Sequence, residues 1–198
     1  MVMAALVLLA AYLIGSIPFP VIVSRLVLGI DLRQHGSGNM GALNAGRVLG
    51  KKWFPVVMAL DLAKGFAATW LAMTLIPGQV SLSPVAAAAF GGLFVVVGHC
   101  FPVFAGFKGG VGLAATGGAL VAISFPMLGA AALAILVFWA ISRNMYVGVA
   151  AASLLYPFMG WYILGEIWAV VAMAVWAAVV FALHWKDLKD WSASRKGA

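Results

Sequence analysis

Two stretches of this sequence gather glycine, amide and cation at spacings suited to holding an anion. The first is His35-Gly36-Ser37-Gly38-Asn39-Met40-Gly41, followed by Asn44 and Arg47. Three glycines in six residues let successive backbone N–H groups converge on one anion. Ser37 and Asn39 add short polar donors, and a guanidinium such as that of Arg47 grips phosphate with two parallel hydrogen bonds. The plainer reading of these residues is a flexible interfacial loop with a basic anchor. The second stretch is Gly98-His99-Cys100-Phe101-Pro102, then Phe107-Lys108-Gly109-Gly110-Val111-Gly112. It sets glycines and a cation at the head of an apolar run, where a helix N-terminus attracts anions. One glycine-rich loop is weak evidence, and two in one small chain are stronger. His99 reads more simply as a hydrogen-bonded structural residue than as a base.

Asp61 and Lys64 are three apart in an apolar run, so they share a helix face. Ionisable groups inside a span are costly and usually paired inward. They read as functional or as a structural pair that positions the first loop. Arg143 and His184 end two further apolar runs, where interfacial anchoring competes with a site role. Several chemistries have no signature here. There is no Cys/His set with zinc spacing, no G-x-S-x-G elbow, no P-loop and no H-x4-D acyltransferase pair. No metal or other cofactor is expected.

The elements that must position these residues are membrane helices. Of 198 residues, 65% are hydrophobic and 9% charged, against about 25% charged in a soluble domain. A soluble fold could not hide so much apolar surface. The net charge of +7 therefore points to anionic headgroups and phosphate-bearing substrates rather than to nucleic acid. The single cysteine, Cys100, can form no internal disulfide. The first basic residue is Arg25, so residues 2–28 read as a retained span and not as a signal peptide.

Apolar runs cover about 2–28, 53–76, 85–105, 113–141, 145–165 and 167–185, in a single polytopic domain over 1–198. The run 113–141 is ambiguous. Split near Ser124-Phe125-Pro126, it yields seven spans, and 11 of the 12 basic residues fall on one side, with Lys64 inside the second span. Unsplit, Arg143 and the basic tail land opposite the other basic loops. Basic loops lie in the cytoplasm. The expected fold is thus all-α: seven transmembrane helices, two of them short, with the N-terminus outside and the C-terminus cytoplasmic. The two short segments, 113–124 and 127–141, measure only about 18 and 22 Å at 1.5 Å per residue, so they must tilt or be buried among others.

Taken in order, the motifs resemble a known family. They are Gly15-Ser16-Ile17-Pro18, then Gly36-Ser37-Gly38-Asn39-x-Gly41-Ala42-x-Asn44-x-x-Arg47, then Asp61-x-x-Lys64-Gly65. Next come Gly98-His99-x-x-Pro102-Val103-Phe104-x-x-Phe107-Lys108-Gly109-Gly110, then Arg143 and His184. This series resembles the bacterial acyl-phosphate:glycerol-3-phosphate acyltransferases, from the first span to the last. The resemblance implies a multi-pass enzyme of the bacterial inner membrane with its site on the cytoplasmic side. It would move an acyl group from acyl phosphate to the 1-hydroxyl of glycerol 3-phosphate, giving lysophosphatidate for phospholipid synthesis. Coenzyme A takes no part, and the donor's phosphate helps take the proton. The implied substrate-phosphate residues are Gly36, Ser37, Gly38, Asn39, Asn44, Arg47, Lys108, Gly109, Gly110, Gly112, Arg143 and His184. No catalytic residue is clear, His184 and Ser37 being the best candidates, while Asp61, Lys64 and His99 read as structural or positioning.

The chain departs from the family pattern at five positions. Val111 stands at a lysine position, Ala115 and Leu43 at threonines, Tyr146 at a serine and Asp187 at an asparagine. Losing one charge-assisted contact typically costs about 1.5–3 kcal/mol. The departures motivate an alternative, a non-catalytic homologue serving as an accessory subunit of a larger membrane complex. A small transporter or lipid-binding protein is a third reading. The expected partners are the lipid bilayer and the two substrates, or other membrane subunits under the alternative.

Overall fold

The computed structural model describes residues 1–196; Gly197 and Ala198, the end of the expected domain, lie outside the described residues. The chain is helical. Helix α1 (Val2–Gly15) stops because Pro18 cannot continue it, and α2 (Phe19–Leu28) restarts beyond the break. A short amphipathic α3 (Ala42–Leu49) precedes the long α4 (Trp53–Leu75) and α5 (Pro84–Cys100). Then come α6 (Leu113–Ile123), α7 (Phe125–Ser142), α8 (Met145–Ser153), the single turn α9 (Tyr156–Met159), α10 (Ile167–Leu183) and α11 (Trp185–Lys196).

The predicted break in the 113–141 run falls at Ser124. Its extended backbone (φ −171°, ψ 123°) separates α6 from α7, and its hydroxyl accepts from the Met127 N–H at 3.4 Å. Two runs read as continuous are interrupted. The stretch 145–165 bends by 48° before Pro157 and finishes as a π-turn, Gly160–Leu164. The stretch 167–185 bends by 51° at His184.

Four stretches, Val2–Leu28, Trp53–Leu75, Pro84–Ala105 and Phe125–Ser142, are long and apolar enough to cross a membrane. The two bent pairs raise that number to six, and α6 is a shorter apolar helix beside them. Side chains such as Leu6, Leu9, Leu133 and Leu136 point outward, as lipid-facing residues do.

Inside, small residues let backbones touch. A methyl on Gly15 would overlap the Val95 carbonyl, one on Gly98 the Tyr12 carbonyl, and one on Gly65 the Ala115 carbonyl. Thus α5 lies against α1, and α4 against α6. Trp176 of α10 fills the core with Tyr156 edge-on at 6.3 Å.

This packing brings the chemistry to one end. Ser83 caps α5 and donates to the Glu166 carboxylate at the head of α10, so those two helices start together. Their far ends, Cys100 and His184, therefore share the opposite end. Tyr12 Oη ties the end of α1 there through the Phe101 carbonyl (2.8 Å), and Trp191 Nε1 ties α11 to the end of α7 through the Ser142 carbonyl (3.0 Å).

Candidate active site

The first loop is built around Asp31 and Asn44. Asp31 caps the 3₁₀ turn Leu32–Gln34 and holds Arg33 with both oxygens, at 2.9 Å to Nε and 2.6 Å to Nη2. Arg25 reaches the same carboxylate at 3.3 Å. Hydrogen bonding to the Arg33 guanidinium holds the Asp31 carboxyl well below the usual carboxylate range, and Arg33 is raised in turn.

The chain then reverses through Gly36 (φ 62°) and Gly38 (φ 72°), left-handed positions that favour glycine. Asn44, buried in α3, fixes the turn. Its Oδ1 accepts the Ser37 N–H at 2.9 Å. Its Nδ2 faces the carbonyls of His35 and Asn39, both at 3.0 Å, and of Leu32 at 3.4 Å. Asn44, expected as a phosphate contact, has its amide against four backbone groups of the loop. The Ser37 hydroxyl has no partner among the described residues, and Asn39 Oδ1 is buried without one. Arg47 is exposed one turn further along α3.

The second loop folds back on the end of α5. Phe107, a non-glycine residue at φ 59°, donates its N–H to the Pro102 carbonyl at 2.9 Å. The Gly110 N–H donates to the His99 carbonyl at 3.3 Å. Side chains at positions 109 and 110 would overlap the backbone carbonyls of His99 and Cys100, the Met40 carbonyl and the His99 ring. Both glycines are thus demanded by packing, whatever they bind. Gly112 (φ 81°) begins α6, and no side chain among the described residues caps that helix. Val111, half-buried, sits just before it.

The two loops meet. Arg33 Nη1 donates to the Ala105 carbonyl at 3.0 Å, and Met40, Ala105 and Val21 form a small apolar cluster beneath. Between the loops opens a cleft of about 430 Å³ lined by Asp31, Arg33, Gln34, Gly38, Met40, Lys108 and Gly109. Under the loops, Asp61, Lys64 and His99 are buried together, with Lys64 Nζ 2.9 Å from Asp61 Oδ1. Sequence reasoning missed Asp31 and Arg33 as site-builders. The signal was there: one of only five acidic residues stands between Arg25 and Arg33.

Of the twelve residues expected at phosphate, Gly38, Lys108 and Gly109 line this cleft; Gly36, Ser37, Asn39, Asn44, Arg47, Gly110, Gly112, Arg143 and His184 are not among its lining residues. Arg143 ends α7 in a left-handed conformation (φ 56°) and is exposed. His184 is fully buried at the end of α10, and its Nδ1 donates to the Val180 carbonyl at 2.8 Å. In the neutral ring Nε2 then carries the lone pair. That nitrogen is buried without a partner among the described residues. The Tyr146 ring packs on His184 with centroids 6.0 Å apart. Asp187 lies in the first turn of α11, just beyond.

Two glycine loops thus border one cleft in a chain of apolar helices. A family model described as glycerol-3-phosphate acyltransferase matches residues 5–193. The chain belongs to the glycerol-3-phosphate acyltransferase family. The relative from Geobacillus kaustophilus is 39% identical over 183 residues, 92% of this chain and 89% of its own. That from Anaeromyxobacter sp. strain K is 45% identical over 147 residues, 72% and 68% of the two chains. Among solved structures, the glycerol 3-phosphate form of PlsY (YgiH), an integral membrane glycerol 3-phosphate acyltransferase, superposes with a TM-score of 0.82 at 32% identity. The match covers 97% of this chain and 93% of that one. Membership in this family, with several apolar helices, makes the chain a multi-pass membrane protein. The resemblance read from the motifs and the enzyme class it implied are both upheld.

Proposed function

We propose that this chain transfers an acyl group from acyl phosphate to glycerol 3-phosphate, forming lysophosphatidate for phospholipid synthesis. The glycerol 1-hydroxyl attacks the acyl carbonyl carbon. The bond to the phosphate oxygen breaks, and the departing phosphate carries off the hydroxyl proton. Both substrates bring a phosphate and the donor is already activated. Catalysis then rests on positioning and on electrostatic stabilisation.

The observation that carries this reading is the cleft between the loops, with Gly38 on one wall and Lys108 and Gly109 on the other. Ser37, Asn39 and Arg47 serve the first cradle; Gly110, Gly112 and the uncapped start of α6 serve the second. Arg143 and His184 complete the site from the ends of α7 and α10, with the free Nε2 of His184 accepting a substrate hydroxyl. All seven apolar passes, α6 included, cross the bacterial inner membrane as one polytopic domain. The N-terminus lies outside, and the site faces the cytoplasm.

The test is purified protein in lipid with acyl phosphate and glycerol 3-phosphate, following phosphate release beside an active relative. Turnover dependent on both substrates is expected, and a background rate would overturn the reading. No observation favours the alternative of an accessory subunit.

A further inference from the structure

Three segments distant in sequence converge on one buried polar group that the proposed chemistry does not use. Lys64 Nζ lies 2.9 Å from Asp61 Oδ1 and donates to the Ile17 carbonyl at 2.8 Å. That carbonyl lies at the break between α1 and α2, where it also accepts the Phe19 N–H at 3.1 Å. The same ammonium sits 5.6 Å from the centre of the Phe19 ring. On the other side, His99 Nδ1 is 3.6 Å from Asp61 Oδ1. The carbonyl of His99 holds the Gly110 N–H at 3.3 Å, and its ring occupies the space a side chain at 110 would need. The Met40 carbonyl of the first loop borders the same space. All three side chains are almost wholly buried.

We infer that Asp61, Lys64 and His99 form a positioning strut that sets the distance between the two glycine loops. Lys64 fixes the broken first span, and Asp61 stands between it and His99, whose Nδ1 it faces across 3.6 Å, beyond hydrogen-bond length. His99 in turn seats the second loop at Gly110 against Met40 of the first. Each loop also has its own internal scaffold. Asn44 and the Asp31–Arg33 pair shape the first, and the Phe107 to Pro102 bond shapes the second. Loosening the strut therefore leaves each cradle intact and misplaces one against the other. Binding of either substrate alone survives, while the reacting atoms no longer meet at attack distance. The inference rests on the acyltransferase reading above.

The test is the double variant Asp61→Asn with Lys64→Met. Removing one partner would strand a buried charge, whereas removing both leaves a neutral interior of similar volume that tolerates folding. The expected result is kcat lowered at least about tenfold with KM for each substrate within about twofold, because misalignment costs the transition state and not the ground state. His99→Phe keeps a ring over Gly110 but loses the nitrogen facing Asp61, and it should show the same split. If the double variant does not fold, His99→Phe decides by the same criteria.

A readout independent of turnover is the distance between spin labels at Gln34→Cys and Phe104→Cys on a Cys100→Ala background. It should broaden or shift in the variants. A kcat within about threefold of the parent, a loss carried by KM, or an unchanged distance distribution would each overturn the strut. Should the parent itself show no turnover, the acyltransferase reading fails and the label distance alone decides the strut.

Discussion

Asn44→Ala tests whether the first loop is shaped from within. Asn44 is 1% exposed and surrounded by one N–H and three carbonyls. An amide nitrogen has two protons, so the three carbonyls share two bonds, and the accepted Ser37 N–H makes three bonds in all. At about 0.5–1.5 kcal/mol each, three bonds contribute about 1.5–4.5 kcal/mol to keeping the loop closed. The loop borders solvent, and water recovers part of that, leaving about 2 kcal/mol, or about 30-fold in the open-to-closed ratio. Hydrogen exchange at the Ser37 amide should accelerate by about that factor, with kcat/KM falling by up to the same amount. Asn44→Asp should not rescue, since a carboxylate accepts from Ser37 but repels the three carbonyls. A loss of activity with Ser37 exchange unchanged would refute the reasoning and make Asn44 a direct substrate ligand.

Other outcomes follow from the same geometry. Gly110→Ala should abolish turnover, because the methyl meets the Met40 carbonyl and the His99 ring; activity within tenfold of the parent would show that the second loop can yield. Val111→Lys restores a cation beside the cleft and should raise kcat/KM by about tenfold to a hundredfold, the worth of one charge-assisted contact. An unchanged value would mean that Lys108 already supplies that charge. Asp31, whose folded carboxyl is held below its ordinary range, contributes stability that is full above about pH 4, its unfolded value, and is lost as pH falls further. Acid unfolding monitored from pH 7 to pH 2 should therefore lose part of its steepness below about pH 4 in Asp31→Asn and match the parent's slope above it. A changed slope between pH 5 and 7 would contradict the assignment.

The pattern of spans was legible because proline and long apolar runs act locally. Ser124-Phe125-Pro126 announced a break, and the chain breaks there. Pro157 carried the same signal inside the 145–165 run, where its effect went unread. The two cradles were legible as glycine spacing, yet their glycines have two employers. Gly36 and Gly38 serve backbone reversal, while Gly109 and Gly110 serve close packing on the end of α5. The role of Asn44 was not legible, because an asparagine after a glycine loop reads equally well as ligand or as scaffold. Only its burial and its four backbone neighbours decide. Least legible was the partner of Lys64. Its Ile17 carbonyl lies 47 residues away, and no periodicity reports a contact made by folding.

The five departures from the family pattern do not weigh equally once placed in the fold. Leu43 is 59% exposed on the first turn of α3, whereas the loop is held by the buried Asn44, so leucine there leaves the cradle's scaffold untouched. Ala115 is fully buried, and its carbonyl abuts Gly65 in the α4–α6 contact, so its methyl serves helix packing. Val111, Tyr146 and Asp187 remain. Tyr146 lays its ring on His184, the histidine whose Nε2 lacks a partner among the described residues, and so changes what packs on that ring while the nitrogen is kept. Val111 withholds one cation, while Lys108 still lines the cleft. Nothing in the structure explains Asp187, which lies in the first turn of α11. Asn44, the Asp31–Arg33 pair and the Asp61, Lys64 and His99 cluster are themselves not among the five changed positions. A chain that had lost its chemistry would have no need to keep buried charges whose upkeep is costly in an apolar interior. Their retention argues for a working enzyme.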